Sequence, residues 1–490
     1  MENGAPHIDL RALARRVMIE AGFTPDLPPG VAAEVQALDE SRPRDAADPS
    51  IRDLWALPWS SIDNPESRDL DQVEYAERQA SGDIRLMAGI ADVDAFVAAG
   101  SATDQHAAEN ATSVYTGIET FPMLPERLST DLTSLLSGAD RLAIIIEVLV
   151  NSEGEVKSSD IYRATIRNYA KLDYESVGAW LEGNGPPPAG VTGASGMEEQ
   201  LRLQDELADR LRAMRRRQGA LDLETIEASP VTENGRIVDL QVQQKNRARY
   251  LIEAFMVTAN SAMASFLEAR GAPVIQRVVR TPERWPRIVE VAEALGERLP
   301  AEPDPRALSD FLIRRKQADP EHFADLSLSV VKLLGPGEYE VIRPGGEPGE
   351  HFSLAAHDYT HSTAPNRRFV DLITQRLLKA VVGGKATPYT VDELAGIAQH
   401  CTERERAAKK VERRMRKVAA AVLLSGRIGQ KFDAIVTGVT PKGTFARLVA
   451  PPAEGLIVRG ERGLDVGDKV RVRLVSTDPE RGFIDFERGA

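Results

Sequence analysis

WSSIDNPESRDLDQ, residues 59–72, followed by DIRLMAGIADV, residues 83–93, is the stretch that decides the fold. Its acids Asp63, Asp69 and Asp71 fall at the spacing D-x5-D-x-D. In an extended segment alternate side chains share a face, so Asp69 and Asp71 project the same way. A turn at Asn64-Pro65 brings Asp63 back to join them. Three converging carboxylates repel one another, and no core tolerates them unpaired. A hard divalent cation neutralises them. Mg2+ takes oxygen ligands and keeps water or substrate phosphate in its other positions. The plainer reading is a solvated turn with surface acids. Acids on both sides of an apolar strand, Ile84 to Val93, point instead to the charged edge of a buried sheet.

A second informative stretch is HDYTHSTAPNRRFVDLI, residues 357–373. Pro365 stands where a helix would start, and apolar spacing at Val370, Ile373, Leu377 and Val381 predicts a helix over 366–382. Arg367 and Arg368 then lie in its first turn, where cations are unfavourable. Two arginines there make sense if an anion sits on the free N–H groups and the guanidinium forks close over it. The structural alternative is pairing with nearby acids such as Asp371.

Composition sets the frame. At 490 residues, two to four domains with ample core are expected. The chain is 42% apolar and 28% charged. Its longest apolar run, Leu142 to Val150, is too short to span a bilayer, and no signal peptide shows at the N-terminus. One cysteine, Cys401, excludes a disulfide framework and a cysteine zinc site, so a cytoplasmic location is expected. The net charge of −13 argues against nonspecific coating of nucleic acid but leaves room for a local basic channel.

Around these stretches the pattern predicts helices over 8–22 and 31–38, either a helix-turn-helix or an arm packed on the main domain. A linker is expected over 41–50. Residues 100–115 read as a helix running into Tyr115. Paired strands are expected over 141–169, a loop over 183–196, and helices over 197–218, 246–270 and 402–424. The last carries Arg404, Arg406, Lys409, Lys410, Arg413, Arg414, Arg416 and Lys417, a solvated face or an RNA-path lining. Residues 335–349 read as a Gly/Pro-rich hairpin or loop. From Gly429 to Glu487 five short alternating strands separated by Gly and Pro predict a small closed barrel, with Phe432 and Phe445 as candidate stacking residues.

The runs SIDNPESRDLDQ, GDIRLMAGIADVDAFV, SVY…PMLPE, LIEAFMVTAN and HSTAPNRR resemble the ribonuclease II/ribonuclease R (RNB) family of 3'-to-5' exoribonucleases. The resemblance implies an α+β multidomain fold: a helical module at 1–48, an RNB catalytic domain at 49–426 with a mixed sheet surrounded by helices, and an S1-type OB-fold barrel at 427–490. It implies that Asp63, Asp69 and Asp71 hold Mg2+, with Mn2+ as an alternative. Gln72 stands where the family has a fourth aspartate, which removes one charge. Arg367 matches the catalytic arginine on the scissile phosphate, and Glu253 the active-site glutamate. Tyr115 and Tyr174 match substrate-contacting tyrosines. Leu223 stands where one branch has a base-clamping phenylalanine. His361 and Arg368 fall in the same family run and are expected to contact RNA, and Glu412 weakly matches a family residue near the site. The expected activity is processive 3'-to-5' hydrolysis of single-stranded RNA to nucleoside 5'-monophosphates, with no membrane and no obligate protein partner. The alternatives are an RNA-binding protein of this fold disabled by Gln72, and a DNA-binding regulator reading through the N-terminal helices.

Overall fold

The acid-bearing segment forms neighbouring strands of a six-stranded mixed sheet in the computed structural model, which describes residues 8–38, 48–224, 228–233, 236–242 and 245–489. The main strands are β1 (Trp59–Asp63), β2 (Gln72–Arg78), β3 (Ile84–Ala91), β4 (Asp140–Val150) and β5 (Val156–Asp173). β5 is long enough to serve twice. Its first part pairs antiparallel with β4, from Val156 opposite Val150 to Arg167 opposite Asp140. Its last part runs parallel to β1, with Asp63 opposite Asp173. The order β5-β1-β2-β3-β4 therefore returns to β5, and the sheet closes on itself. A Cβ at Gly89 would meet Val73 at 3.0 Å, so this rung stays clear beside the Trp59 ring.

β2 is registered against β1 at Ser60 opposite Glu74. Beyond that point its backbone is met by side chains of the helix α5 (Met197–Gln218, numbered below with the others). Gln200 accepts from Ala76 N–H at 2.9 Å and donates to Ala76 C=O at 2.7 Å, and Gln204 donates to Glu74 C=O at 3.4 Å. Buried backbone polar groups demand such partners.

The helices are α1 (Leu10–Glu20), α2 (Pro29–Gln36), α3 (Ala102–Asn110), α4 (Tyr174–Leu181), α5, α6 (Arg247–Glu268), α7 (Phe369–Val382) and α8 (Val391–Leu424), with Trp285–Ala294, Pro305–Ala318 and Phe323–Leu334 between α6 and α7. α1 buries Leu10, Leu13, Val17 and Met18 in one cluster with Val411 and Met415 of α8. Arg404 donates to Gly22 C=O at 2.7 Å, and Arg414 pairs with Glu20 at 2.7 Å. The Glu34 carboxylate accepts from the N–H groups of Ala102 and Thr103 and so caps α3. Of the two N-terminal readings, the packed arm is the one found. Residues 41–47 of the expected linker lie outside the described residues.

α6 is long and apolar enough by composition to cross a bilayer, but 72% of that window is buried among the other elements. α5 stops at Gly219, whose φ of 101° suits glycine and whose position abuts the Arg306 backbone. α8 begins well before Thr402, at a capping box formed by Thr390 and Glu393. The expected loop at 183–196 contains a short helix, Ala189–Thr192, anchored by buried Val191. Within 335–349, Glu338–Ile342 pairs antiparallel with Val274–Val278.

The C-terminal strands β6 (Lys431–Thr440), β7 (Gly443–Leu448), β8 (Glu454–Arg459), β9 (Lys469–Asp478) and β10 (Phe483–Arg488) close a barrel in the order β6-β7-β8-β10-β9. Val436, Leu448, Val472 and Phe486 fill it. It rests on α8, where a Cβ at Gly482 would meet the Val418 backbone at 2.8 Å, and on the Arg447–Asp325 pair at 2.9 Å.

Candidate active site

β1 ends at Asp63, and the turn behind it is pinned from three sides. Asp63 accepts from Asn64 N–H at 2.7 Å and from the Ser67 hydroxyl at 2.9 Å. Lys171 of β5 donates to the carbonyls of Pro65 (2.9 Å) and Ser67 (2.5 Å). Arg249 of α6 reaches the Asn64 amide oxygen at 3.1 Å and lies 4.3 Å over the Tyr174 ring. The turn expected at Asn64-Pro65 is therefore a held structure. Asp69 accepts from the Tyr115 hydroxyl at 3.1 Å. Asp71 is buried. It accepts from Asn366 N–H at 3.0 Å and from Arg367 Nε at 3.3 Å, so the two sequence stretches meet at this carboxylate.

Burial pushes Asp71 up to about 7, against the pull of the Arg367 guanidinium. Burial raises Asp63 as well. Both shifts mark carboxylates whose ionised form gains from added positive charge. Each aspartate is held by its own hydrogen-bond partners, and among the described residues no three Asp, Glu, His or Cys side chains gather closely enough to cage an ion. The donors along this edge are nonetheless all oxygen: Asp63, Asp69, Asp71 and, at the start of β2, the amide of buried Gln72. That set has the chemistry of a hard divalent cation and not of a soft one.

The two arginines diverge. Arg367 keeps 45% of its side chain exposed and faces the cleft. Arg368 makes two bonds, 2.8 and 2.7 Å, to the fully buried Asp371. Asp371 also accepts from Ala364 N–H at 2.8 Å. This corrects the expected helix start: α7 begins at Phe369, Arg368 is its N-cap residue, and the anion at this end is the protein's own Asp371. Arg368, which also lines the cleft, is thereby a brace, and Arg367 is the more exposed of the two.

A cavity of about 220 Å3 opens beside them, lined by Tyr115, Tyr339, His361, Arg367, Glu405 and Glu412. The Glu412 carboxylate accepts from Tyr115 N–H at 3.1 Å. His361 shares a 2.8 Å hydrogen bond with the Tyr339 hydroxyl, and its ring packs edge-on against Tyr339 and Tyr359. Burial, reinforced by the Arg368 charge, holds His361 well below its ordinary range and so neutral. Tyr174 opens α4 on the other side of the aspartates, its phenol pushed up first by burial and then by Asp63 and Glu74.

Other expected residues lie elsewhere. Glu253 pairs with Lys245 at 3.1 Å in a groove with Arg212, Arg215 and Arg216, and no contact joins it to the aspartates or Arg367 among the described residues. Leu223 is half-buried against the cluster of Phe311 and Phe323. On α8, Arg406, Lys409 and Arg414 pair with Glu338, Glu405 and Glu20, so part of the basic run is neutralised. Phe432 is buried in the barrel with Arg427 over its ring, which corrects the expectation of a free stacking face. Phe445 is half-exposed, and Phe483, not singled out from sequence, is 57% exposed.

The sequence reading also passed over Lys171, Arg249, Asn366, Tyr339 and Glu74. Lys171 lies in YAKLDY, three residues before Tyr174, and its alternation with Tyr169 and Asp173 was a usable signal. Asn366 acts through its backbone N–H, which no residue identity announces.

A family model described as RNB domain matches residues 51–384, and one described as RNase II-type exonuclease C-terminal S1 domain matches 430–489. Among curated proteins, Ribonuclease R 1 of Lactococcus lactis is 30% identical over 459 residues, 87% of this chain and 55% of that protein. Ribonuclease R of Thermotoga maritima is 31% identical over 458 residues, 87% of this chain and 63% of that one. The chain thus spans less than two thirds of the length of either. Among solved structures, Mycoplasma genitalium RNase R in complex with ribose-methylated single-stranded RNA aligns with a TM-score of 0.88 at 23% identity, covering 98% of this chain and 78% of that one. Yeast Ssd1, described as a pseudonuclease, aligns with a TM-score of 0.69 at 16% identity over 96% of this chain and 58% of that one. These two share the fold.

Proposed function

The chain belongs to the RNB family, whose domain spans residues 51–384 and is followed by an S1 domain, and from that premise we propose that it is a processive 3'-to-5' exoribonuclease releasing nucleoside 5'-monophosphates from single-stranded RNA. One observation carries the reading: Asp71, buried, meets Arg367 and Asn366 N–H across nearly three hundred residues of chain. A buried acid held against a half-exposed guanidinium that lines the cleft supports the hydrolysis of a phosphodiester there.

Each side chain has a task in this reading. Arg367 binds the scissile phosphate and strengthens its grip as negative charge develops there. Tyr115 presents a ring to the terminal base while its hydroxyl stays on Asp69. Tyr174, braced by Arg249, borders the far side. Asp63, Asp69, Asp71 and Gln72 would hold Mg2+, or Mn2+ in its place. When bound, the ion would supply charge neutralisation and a more acidic water. Neutral His361 and the Arg368–Asp371 pair fix the loop that aims Arg367. Phe445 and the barrel hold RNA upstream. The buried free Cys401 suits a reducing cytoplasm. No obligate protein partner is invoked.

The test is digestion of 5'-labelled single-stranded RNA with and without EDTA. The expected result is conversion of full-length RNA to a short 5'-labelled end product with few intermediates, mononucleotide released from a body-labelled copy, and arrest by EDTA. Internal cuts, or cleavage indifferent to EDTA, would overturn the assignment. A second reading, an RNA-binding protein of this fold without hydrolysis, is favoured by one observation, the neutral Gln72. Tight RNA binding with no mononucleotide at any Mg2+ or Mn2+ concentration would select it.

A further inference from the structure

Lys410, Arg413 and Lys417 stand exposed on α8. Spacings of three and four residues put them on one face of the helix, with a rise of about 4.5–6 Å between neighbours. Between Arg406 and Lys417 the sequence holds seven cations and a single acid, Glu412, in a chain whose net charge is −13. Like charges so spaced oppose a helix. Other cations on helices are answered by an acid four residues away: Glu198 for Arg202, Glu206 for Arg210, Glu405 for Lys409. Lys410, Arg413 and Lys417 have no hydrogen-bond or ion-pair partner among the described residues. The neighbouring face of α8, covered by α1 through Val411 and Met415, brings them no relief, since Glu20 of α1 is taken by Arg414. A row of cations kept clear of acids is a surface prepared for an anion from outside.

Both ends of the row meet surfaces that the proposed function gives to RNA. Lys409, one residue from Lys410, lines the cleft cavity with Arg367 and Tyr115. At the other end, the turn between β9 and β10 is seated on α8. A Cβ at Gly482 would meet Lys417 Cβ and Val418 N at 2.8 Å, and its φ of 71° suits glycine. The next residue is Phe483, 57% exposed. An open ring beside charges that follow a backbone is the combination that holds single strands without regard to sequence.

We propose that Lys410, Arg413 and Lys417 form a phosphate track for single-stranded RNA, running along α8 from Phe483 of the barrel to the mouth of the cleft. This rests on the RNA-degrading reading given above and adds to it the route of the strand between the two domains.

The test is binding of single-stranded RNA to the full chain, with EDTA present to stop cleavage, by fluorescence anisotropy over a range of salt. Lys410→Gln/Arg413→Gln/Lys417→Gln is expected to weaken an RNA of about 20 nucleotides about 10-fold or more. It is expected to lower the slope of log affinity against log salt by about 2, the share of three phosphates on a single strand. Its melting temperature is expected at or above the parent's, since repulsion along α8 is relieved. An RNA of about 4 nucleotides, too short to reach from barrel to cleft, is expected to lose less. Lys410→Arg/Arg413→Lys/Lys417→Arg keeps the charges and is expected to keep the parent slope. Phe483→Ala is expected to weaken the longer RNA at the parent slope, because stacking releases no counterions. An unchanged slope in the Gln variant, or an equal loss for both RNA lengths, overturns the track and leaves the exoribonuclease standing. A parent that neither binds nor shortens RNA overturns both.

Discussion

In the sheet domain's cleft, Asp71, Asp69 and Asp63 are each held by two or fewer named groups at hydrogen-bond distance, and Arg368 is spent on bracing Asp371. In the C-terminal barrel, Phe445 is half-exposed and Phe483 57% exposed, while Phe432 serves the interior. On the proposed function the difference follows from task. Rate depends on the placement of charge within fractions of an ångström, so the cleft immobilises its groups. Stacking on a base tolerates variation in sequence and angle, so the barrel needs only a firm core beneath exposed rings.

Four measurements can break or sharpen that contrast. The largest effect belongs to Asp71→Asn: cleavage falls by about 10^3-fold or more, of the order seen when a group acting in the transition state is removed, while RNA affinity stays near the parent value. Single-turnover cleavage and filter binding on one preparation report both, and cleavage at the parent rate would show the cleft is not the reactive site. Next, Arg367→Ala lowers kcat about 10^2-fold with little change in KM. Its neighbour behaves oppositely: Arg368→Ala strands the buried Asp371 carboxylate and costs about 3–5 kcal/mol of stability, read by denaturant unfolding. If both variants lose turnover alone, the division between aimed and bracing arginines fails.

In the barrel, Phe445→Ala weakens RNA binding by about 1–3 kcal/mol with the saturated cleavage rate preserved. Phe432→Ala instead loosens the barrel core, visible as an earlier unfolding transition. The smallest effect concerns pH. Burial and then the Asp358 carboxylate push Glu268 up to about 7 from an ordinary value of 4.5. Gln276 Nε2 donates to both acids, at 2.6 and 3.2 Å, at the root of the loop that carries His361 and Arg367. Between those two pH values the folded chain holds a proton that the unfolded chain has released, so stability falls as pH rises through this window. Glu268→Gln removes that loss: Tm rises by about 1–3 °C at pH 8 and is unchanged near pH 4.5. An equal gain at both pH values would assign the effect to packing.

Much of the architecture was legible from periodicity, because β3, the paired β4 and β5, the long helices and the barrel announce themselves by spacing and by glycine or proline stops, whereas β2 was not singled out. The double use of β5 was not legible either, since a strand's partners are chosen by tertiary register and its sequence shows only that it is extended. At the site, the acids and Arg367 were readable as charges without local partners. Arg368 looked the same as its neighbour, and only the placement of Asp371 one helical turn on separates them. Glu74 was hidden for another reason: within QVEYAER a glutamate between apolar residues reads as the solvent face of a strand, and its burial comes from α5, more than a hundred residues later.

The embrace between α1 and α8 bears on how the chain is made. The apolar face of α1 leaves the ribosome before the residues it covers, Val411 and Met415, which are synthesised roughly 400 residues later, about 20–80 s at ordinary translation speeds. For that interval an amphipathic helix waits without its mate. Chaperone occupancy on the nascent chain is therefore expected to persist at α1 until α8 has cleared the exit tunnel.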